Sequence, residues 1–202
     1  MGIDFCALIP FETGIQRLRE LLPQFDRMNR EIVAWWPPEL SGIAGRPWTW
    51  NPEFDLPWAF DMQFSRSGDV EADWRAGDEV RLNGSRCLDV SVCRRALHFP
   101  GDGQRWGWFI ESGAYRLFIR RVCQRIARIV GADRALYVPD AYKRASLAKE
   151  MVWEGHTVDQ AEAWLLTYCG RPAPSANQIR WEPDGESTEE TYFYDRFAGL
   201  PE

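Results

Sequence analysis

The stretch AYRLFIRRVCQRIARIVG, residues 114 to 131, constrains the fold more than any other part of the chain. At 100° per residue, Phe118, Ile119, Val122, Cys123, Ile126, Ile129 and Val130 fall on one arc, and Arg120, Arg121, Arg125 and Arg128 on the opposite one. A helix of this kind has to lay its apolar arc on a neighbouring layer, and Gly131 supplies the left-handed residue that ends it. RALYVPD, which follows, reads as a buried strand. Two more helices come next, in AYKRASLAKEMVWEG and TVDQAEAWLLTYCG. Thr157 with Gln160 forms a capping box that opens the second, and Gly155 and Gly170 end the pair.

Upstream, IDFCALIP reads as a first strand and ETGIQRLRELLPQFDRMNREIVAWW as helix, with Thr13 and Gln16 as its capping box. Pro23 interrupts the periodicity, which predicts two short helices or one with a kink. WAFDMQFS alternates as a strand. EVRLNGSRCLDVSVC reads as a hairpin turning on Asn83 and Gly84, with Leu88, Val90 and Val92 toward the core and Asp89 and Ser91 on the other side. RWGWFIES is a further strand candidate. From Arg171 onward, proline, glycine and acids predict an extended C-terminal tail, residues 171 to 202, with TYFYDRF adding an edge strand. Together these elements predict an α+β fold, a mixed and largely antiparallel sheet covered by helices, with an α/β sandwich as the alternative. A chain of 202 residues fits one globular domain, 1 to 202.

Several function classes are disfavoured. No apolar run reaches the roughly 20 residues of a membrane span, and the opening MGIDFCALIPFETG lacks the pattern of a secretory signal. The five cysteines are odd in number, scattered and free of any C-x-x-C spacing, which agrees with a reducing, cytoplasmic location. There are two histidines, His98 and His156; the first reads as a strand-end residue and the second as part of a helix entry. No nucleophile elbow, zinc-protease pair or phosphate loop is present, so the sequence names no catalytic residue, no metal ligand and no cofactor. Asp69, Glu71 and Asp73 are spaced two apart, yet the glycine and bidentate Glu of a calcium loop are missing, and a solvated acidic rim is the better reading. The arginine face of residues 116 to 128 raises nucleic acid as a partner. A net charge of −6 and only two lysines among 24 basic residues weigh against it, and acids elsewhere in the chain are the alternative partners for those arginines.

Charge and aromatic residues are concentrated in the same place. Residues 35 to 58 hold five tryptophans and five prolines, too broken for a helix and too irregular for a strand, and residues 51 to 80 hold eight acids against two arginines. Burial of the indoles as a satellite core is one reading, and Trp35 and Trp36, at a helix end, fit it. The other is a docking surface built from Trp48, Trp50, Glu53, Asp55, Trp58, Asp61, Asp69, Glu71 and Asp73. Aromatic anchors would give tightness and carboxylates would attract a basic partner.

Residues 134 to 173, RALYVPDAYKRASLAKEMVWEGHTVDQAEAWLLTYCGRPA, resemble the closing half of small cytosolic immunity proteins encoded beside bacterial polymorphic toxins. The likeness rests on Leu136, Tyr137, Pro139, Asp140, Glu154, Gly155, Trp164 and Leu165, a strand ending in an LY-x-PD turn, an EG break and a helix with a Trp-Leu pair. It implies a non-enzymatic protein that blocks the active site of a cognate toxin, often a basic one, through an acidic surface. It transfers no binding residue. The alternative is a small-molecule or carbohydrate-binding module, or an enzyme, with a Trp-lined pocket in which Asp55 or Asp61 orients the ligand.

Overall fold

The computed structural model describes residues 4 to 12, 17, 20, 21, 23 to 25, 27, 28, 31, 48 to 53, 60 to 66, 72, 73, 81, 82, 88 to 93, 95 to 99, 106 to 140, 144 to 172 and 192 to 197. The strands are β1 (Phe5–Pro10), β2 (Trp48–Glu53), β3 (Phe60–Arg66), β4 (Ala72–Asp73), β5 (Arg81–Leu82), β6 (Leu88–Val92), β7 (Ala96–Phe99), β8 (Arg134–Pro139) and β9 (Phe193–Arg196). The helices are α1 (Trp106–Glu111), α2 (Gly113–Val130), α3 (Leu147–Trp153), led in by a 3-10 turn at Arg144–Ser146, and α4 (Val158–Tyr168). Helical backbone also recurs between positions 17 and 31. For β2 to β5, and for β6 apart from Val90, the course of the backbone is what is described.

Seven strands form one sheet in the order β2-β3-β6-β7-β1-β8-β9, while β4 and β5 pair separately. Every described pairing is antiparallel. The central strands are apolar on both faces and divide their side chains between two cores. Ala7 and Ile9 of β1, with Leu97 and Phe99 of β7, join α1, α2 and the buried Leu21, Phe25 and Met28 of the first helical segment. Cys6 and Leu8 of β1, with Leu136 and Val138 of β8, join Ala148 and Val152 of α3 and Val158, Ala161 and Leu165 of α4. The fold is therefore α+β, with its antiparallel sheet held between two helical layers.

Helix α2 forms as its periodicity predicts. The Ser112 hydroxyl accepts the Tyr115 N–H at 3.2 Å, and Gly131 closes the helix at φ 78°, in the left-handed region. Phe118, Ile119, Val122, Cys123 and Ile126 are buried on the sheet; each large side chain contributes about 1.5–3 kcal/mol by leaving water. The Thr157–Gln160 capping box is present in both directions at α4. TYFYDRF supplies β9 as the edge strand beyond β8.

Three expectations are corrected. RWGWFIES is helical over Trp106–Glu111, because Trp106, Phe109 and Ile110 bury at helical spacing against one side of the sheet, where Phe109 stacks on Tyr137 with ring centroids 5.1 Å apart. The hairpin expected over residues 79 to 93 does not form: β5 pairs with β4, and β6 lies between β3 and β7. The alternation of β6 matches the longer β3, whose Phe60, Met62 and Phe64 lie opposite Val92, Val90 and Leu88, whereas β5 offers two residues; Asn83 and Gly84 lie outside the described residues. Trp48–Glu53 is a strand despite Pro52, a residue tolerated at the edge of a sheet, where β2 is the outermost strand among the described residues. The expectation at Pro23 stands apart from these: Pro23 itself lies in helical backbone, with the buried Leu21 and Phe25 on either side of it, and the neighbouring Leu22 and Asp26 lie outside the described residues.

Candidate binding surface

The register of the outer strands sorts the candidate residues. β2 pairs with β3 so that Glu53 lies opposite Asp61, Asn51 opposite Gln63, and Trp50 opposite Phe64. β3 pairs with β6 so that Asp61 lies opposite Ser91, Gln63 opposite Asp89, and Met62 opposite Val90. Directly opposed residues share a face and successive residues alternate. Val90 belongs to the core beneath α1 and α2. Its face of the ribbon therefore carries Pro52, Met62, Phe64, Leu88, Trp48 and Trp50. Glu53, Asp61, Asp89, Asn51, Gln63 and Ser91 occupy the opposite face. In the next strand, β7, Ser91 lies opposite His98 on that same side.

Trp48 and Trp50 are thus brought to the edge strand beside Glu53 and Asp61, but across the sheet from them. They share the tryptophan-rich ribbon rather than one flat patch. Asp73 is elsewhere, in β4, opposite Arg81 in register. Asp55, Trp58, Asp69 and Glu71 lie outside the described residues, as do Trp35 and Trp36. Asp89 was legible from the sequence as a residue turned away from the core. What joins it to Glu53 and Asp61 is the order of the strands, and no local pattern states that order.

At the inner border of the polar face stands His98. It is 8% exposed, its Nδ1 atom is buried without a hydrogen-bond partner, and its ring meets the Trp153 indole edge to face with centroids 5.9 Å apart. The buried Trp153 Nε1 also lacks a partner. Burial, helped by the positive charge of Lys149, lowers the His98 pKa to about 3, so the imidazole is neutral near pH 7. Lys149 itself lies 3.9 Å from Asp140, which also accepts the Asp4 backbone N–H at 2.9 Å and so ties the start of β1 to the end of β8.

Several other titratable groups among the described residues hold the fold together. Burial pushes the thiols of Cys6 and Cys123 up, away from the thiolate range in which a cysteine acts as a nucleophile. Arg120 makes a bidentate pair with Asp195, Nε to Oδ2 at 2.6 Å and Nη2 to Oδ1 at 2.7 Å, fastening the edge strand β9 to α2. That hydrogen-bonded carboxylate raises the Arg120 pKa further. The Tyr137 hydroxyl is buried nearby without a well-formed hydrogen bond, and burial pushes its pKa well up. Arg116 is buried and donates to the Phe109 and Ile110 carbonyls at the end of α1. Arg125 reaches Glu31 at 3.4 Å. Three arginines of α2 are thus committed to partners inside the molecule, as the excess of acids elsewhere in the chain suggests.

The residues that carry the likeness to immunity proteins have structural duties. Leu136 and Tyr137 enter opposite cores, Gly155 turns the chain at φ 98°, Leu165 is buried, and Trp164 packs on Tyr168 with ring centroids 5.0 Å apart. Leu166 and Tyr168 of α4 are more than half exposed. Among the described residues, no group of three or more His, Cys, Asp or Glu is placed to hold a metal ion, and no helix is long and apolar enough to cross a membrane. Comparison with protein-family models, curated proteins and solved structures gives no match.

Proposed function

We propose that this chain is a non-enzymatic binding protein, an immunity protein that neutralises a cognate bacterial toxin by covering its active site with the acidic, tryptophan-bearing end of its sheet. The observation that carries the reading is the pairing of β2 with β3, which gathers Glu53, Asp61, Trp48 and Trp50 into the outermost two strands. Two carboxylates opposed across neighbouring strands repel each other unless a cation lies between or above them. A basic toxin groove supplies such cations, and its field accelerates encounter with an acidic surface. A partner lying along the β2 edge reaches both faces of the ribbon at once, tryptophans from one side and carboxylates from the other. No step of bond making is involved; inhibition is by occlusion.

The experiment is co-expression with the product of the neighbouring gene. That product alone should arrest growth of a bacterial host. Co-expression of this chain should restore growth and yield a complex that survives purification. The triple variant Trp48→Ala, Trp50→Ala and Asp61→Ala should lose protection. A neighbouring product that is harmless by itself, or a triple variant that protects as well as the parent, would remove the basis for this reading.

A further inference from the structure

The start of α2 holds a cation at the end of the helix that least favours one. The first N–H groups of a helix form its positive pole, and side chains lean back toward that pole, so an arginine in the opening turn lies over them. Arg116 stands there, and the first turn of this 18-residue helix contains no acid to offset it. The side chain is 8% exposed. Its Nη1 donates to the Phe109 carbonyl at 2.9 Å and to the Ile110 carbonyl. Those acceptors are neutral and leave the guanidinium without a counter-charge. Burial first, and Arg120 second, act against its charge, and no carboxylate among the described residues acts for it.

The other nitrogens of Arg116 are without partners, and one of them faces an opening. Nε is buried with no hydrogen bond. Nη2 makes none either, yet it is not among the buried atoms, and it lies 3.9 Å from the point that a Cβ on Gly113 would occupy. Apart from the local backbone, no other atom of the described residues comes within 4 Å of that point, and Gly113 is exposed. The Ser112 hydroxyl takes the Tyr115 N–H and the Ser112 carbonyl takes the Arg116 N–H, so the N–H groups of Gly113 and Ala114 are the ones left over. The space beside Gly113 is therefore bordered by two backbone donors at the positive pole of a long helix and by the outer nitrogen of a buried guanidinium.

We propose that the start of α2, through the N–H groups of Gly113 and Ala114 and the Nη2 of Arg116, binds a phosphate group, free or as a monoester. Every group in the set donates and none accepts, which selects an anion. Three donors around one space suit the oxygens of a phosphate better than the two of a carboxylate. The guanidinium gives a charge-assisted bond, the helix terminus adds its field, and the phosphate supplies the counter-charge that Arg116 lacks inside the protein. The site shares no residue with β2, β3 or β6, so it stands or falls apart from the proposed neutralisation of a toxin.

The test is a titration of inorganic phosphate into the full, isotopically labelled chain, followed by nuclear magnetic resonance at an ionic strength held constant with sodium chloride. The amide signals of Gly113 and Ala114 and the Nε–H signal of Arg116 should shift along one saturating curve, and acetate should bind at least tenfold more weakly. Glycerol phosphate separates the two sources: affinity like that of phosphate assigns the site to phosphate esters, and affinity at least tenfold weaker assigns it to the free ion. Gly113→Asp puts a carboxylate in the open space beside Nη2, at a helix position that favours acids. It should raise the thermal midpoint in the absence of phosphate and weaken phosphate binding at least tenfold. The control Ala163→Glu adds the same charge at an exposed position of α4 and should change the affinity less than twofold. Arg116→Gln should abolish the saturable shift; Gly113→Asp, which leaves the bonds from Nη1 to α1 in place, decides the matter if Arg116→Gln does not fold. No saturable shift in the wild type, acetate binding as well as phosphate, or undiminished phosphate binding by Gly113→Asp overturns the assignment.

Discussion

The Arg120–Asp195 pair is the feature whose contribution can be worked most directly. It joins the middle of α2 to β9, a strand of four residues at the sheet edge that pairs only with β8 among the described residues. The side chains of Arg120 and Asp195 are 23% and 11% exposed, so the pair is mostly but not wholly withdrawn from water. Charge-assisted hydrogen bonds contribute about 1.5–3 kcal/mol each, and removing one member of a buried pair costs about 3–5 kcal/mol because the other charge is stranded. The residual exposure of Arg120 lets it recover some hydration. Asp195→Asn should therefore cost about 2–3 kcal/mol and Arg120→Met about 3 kcal/mol, the latter being larger because it leaves the more buried carboxylate alone. The double variant should cost little more than either single one, which corresponds to a coupling of about 2–3 kcal/mol. Urea unfolding at pH 7 measures this through the midpoint at constant slope. Additive losses, with a coupling below about 0.5 kcal/mol, would show that the bidentate geometry is incidental and that β9 is held by its pairing with β8 and the burial of Tyr192 and Phe193.

Two further outcomes follow from the same reasoning. His98 has a folded pKa depressed to about 3 from 6.5, by burial first and by Lys149 second. The unfolded chain therefore binds the extra proton between those values, and stability is fully present above pH 6.5 and declines as pH falls toward 3, by up to about 1.4 kcal/mol per unit. The nearby thiol of Cys6 stays neutral throughout this range because burial holds its pKa high. His98→Phe should flatten that stretch of the profile in urea melts at pH 7 and pH 4.5, and an unchanged slope would mean that other groups set it. At α4, Thr157→Ala removes the hydroxyl that accepts the Gln160 N–H at 3.1 Å and should cost about 1 kcal/mol, read as a lower thermal midpoint; no loss would mean the capping box is dispensable.

How much of this was legible in the sequence depends on the range of the information. α2, α3, α4, β8 and β9 declare themselves through periodicity, caps and glycines, because neighbouring residues decide them. RWGWFIES misleads because Trp106, Phe109 and Ile110 lie within a segment too short for its period to be told from alternation, and the surrounding core decides it. Asn83 and Gly84 have the composition of a hairpin turn, yet β6 goes to β3 and β7, where its alternating Leu88, Val90 and Val92 meet a longer apolar partner. The acids at 53, 61 and 89 are visible as residues. That they fall on one face, with His98 at its end and the tryptophans of β2 across the sheet, depends on strand order and register, which are long-range facts.

The central claim is that acids on the outer strands recognise a basic protein, and the rate of association with the neighbouring gene's product tests it most directly. Stopped-flow mixing in low and high salt should give a rate that falls at least tenfold as salt rises, since screening removes the long-range attraction while short-range packing survives. In the variant Glu53→Gln, Asp61→Asn, Asp89→Asn that salt dependence should largely disappear. An association rate indifferent to salt in the wild type, or an equally steep dependence in the variant, would contradict the account.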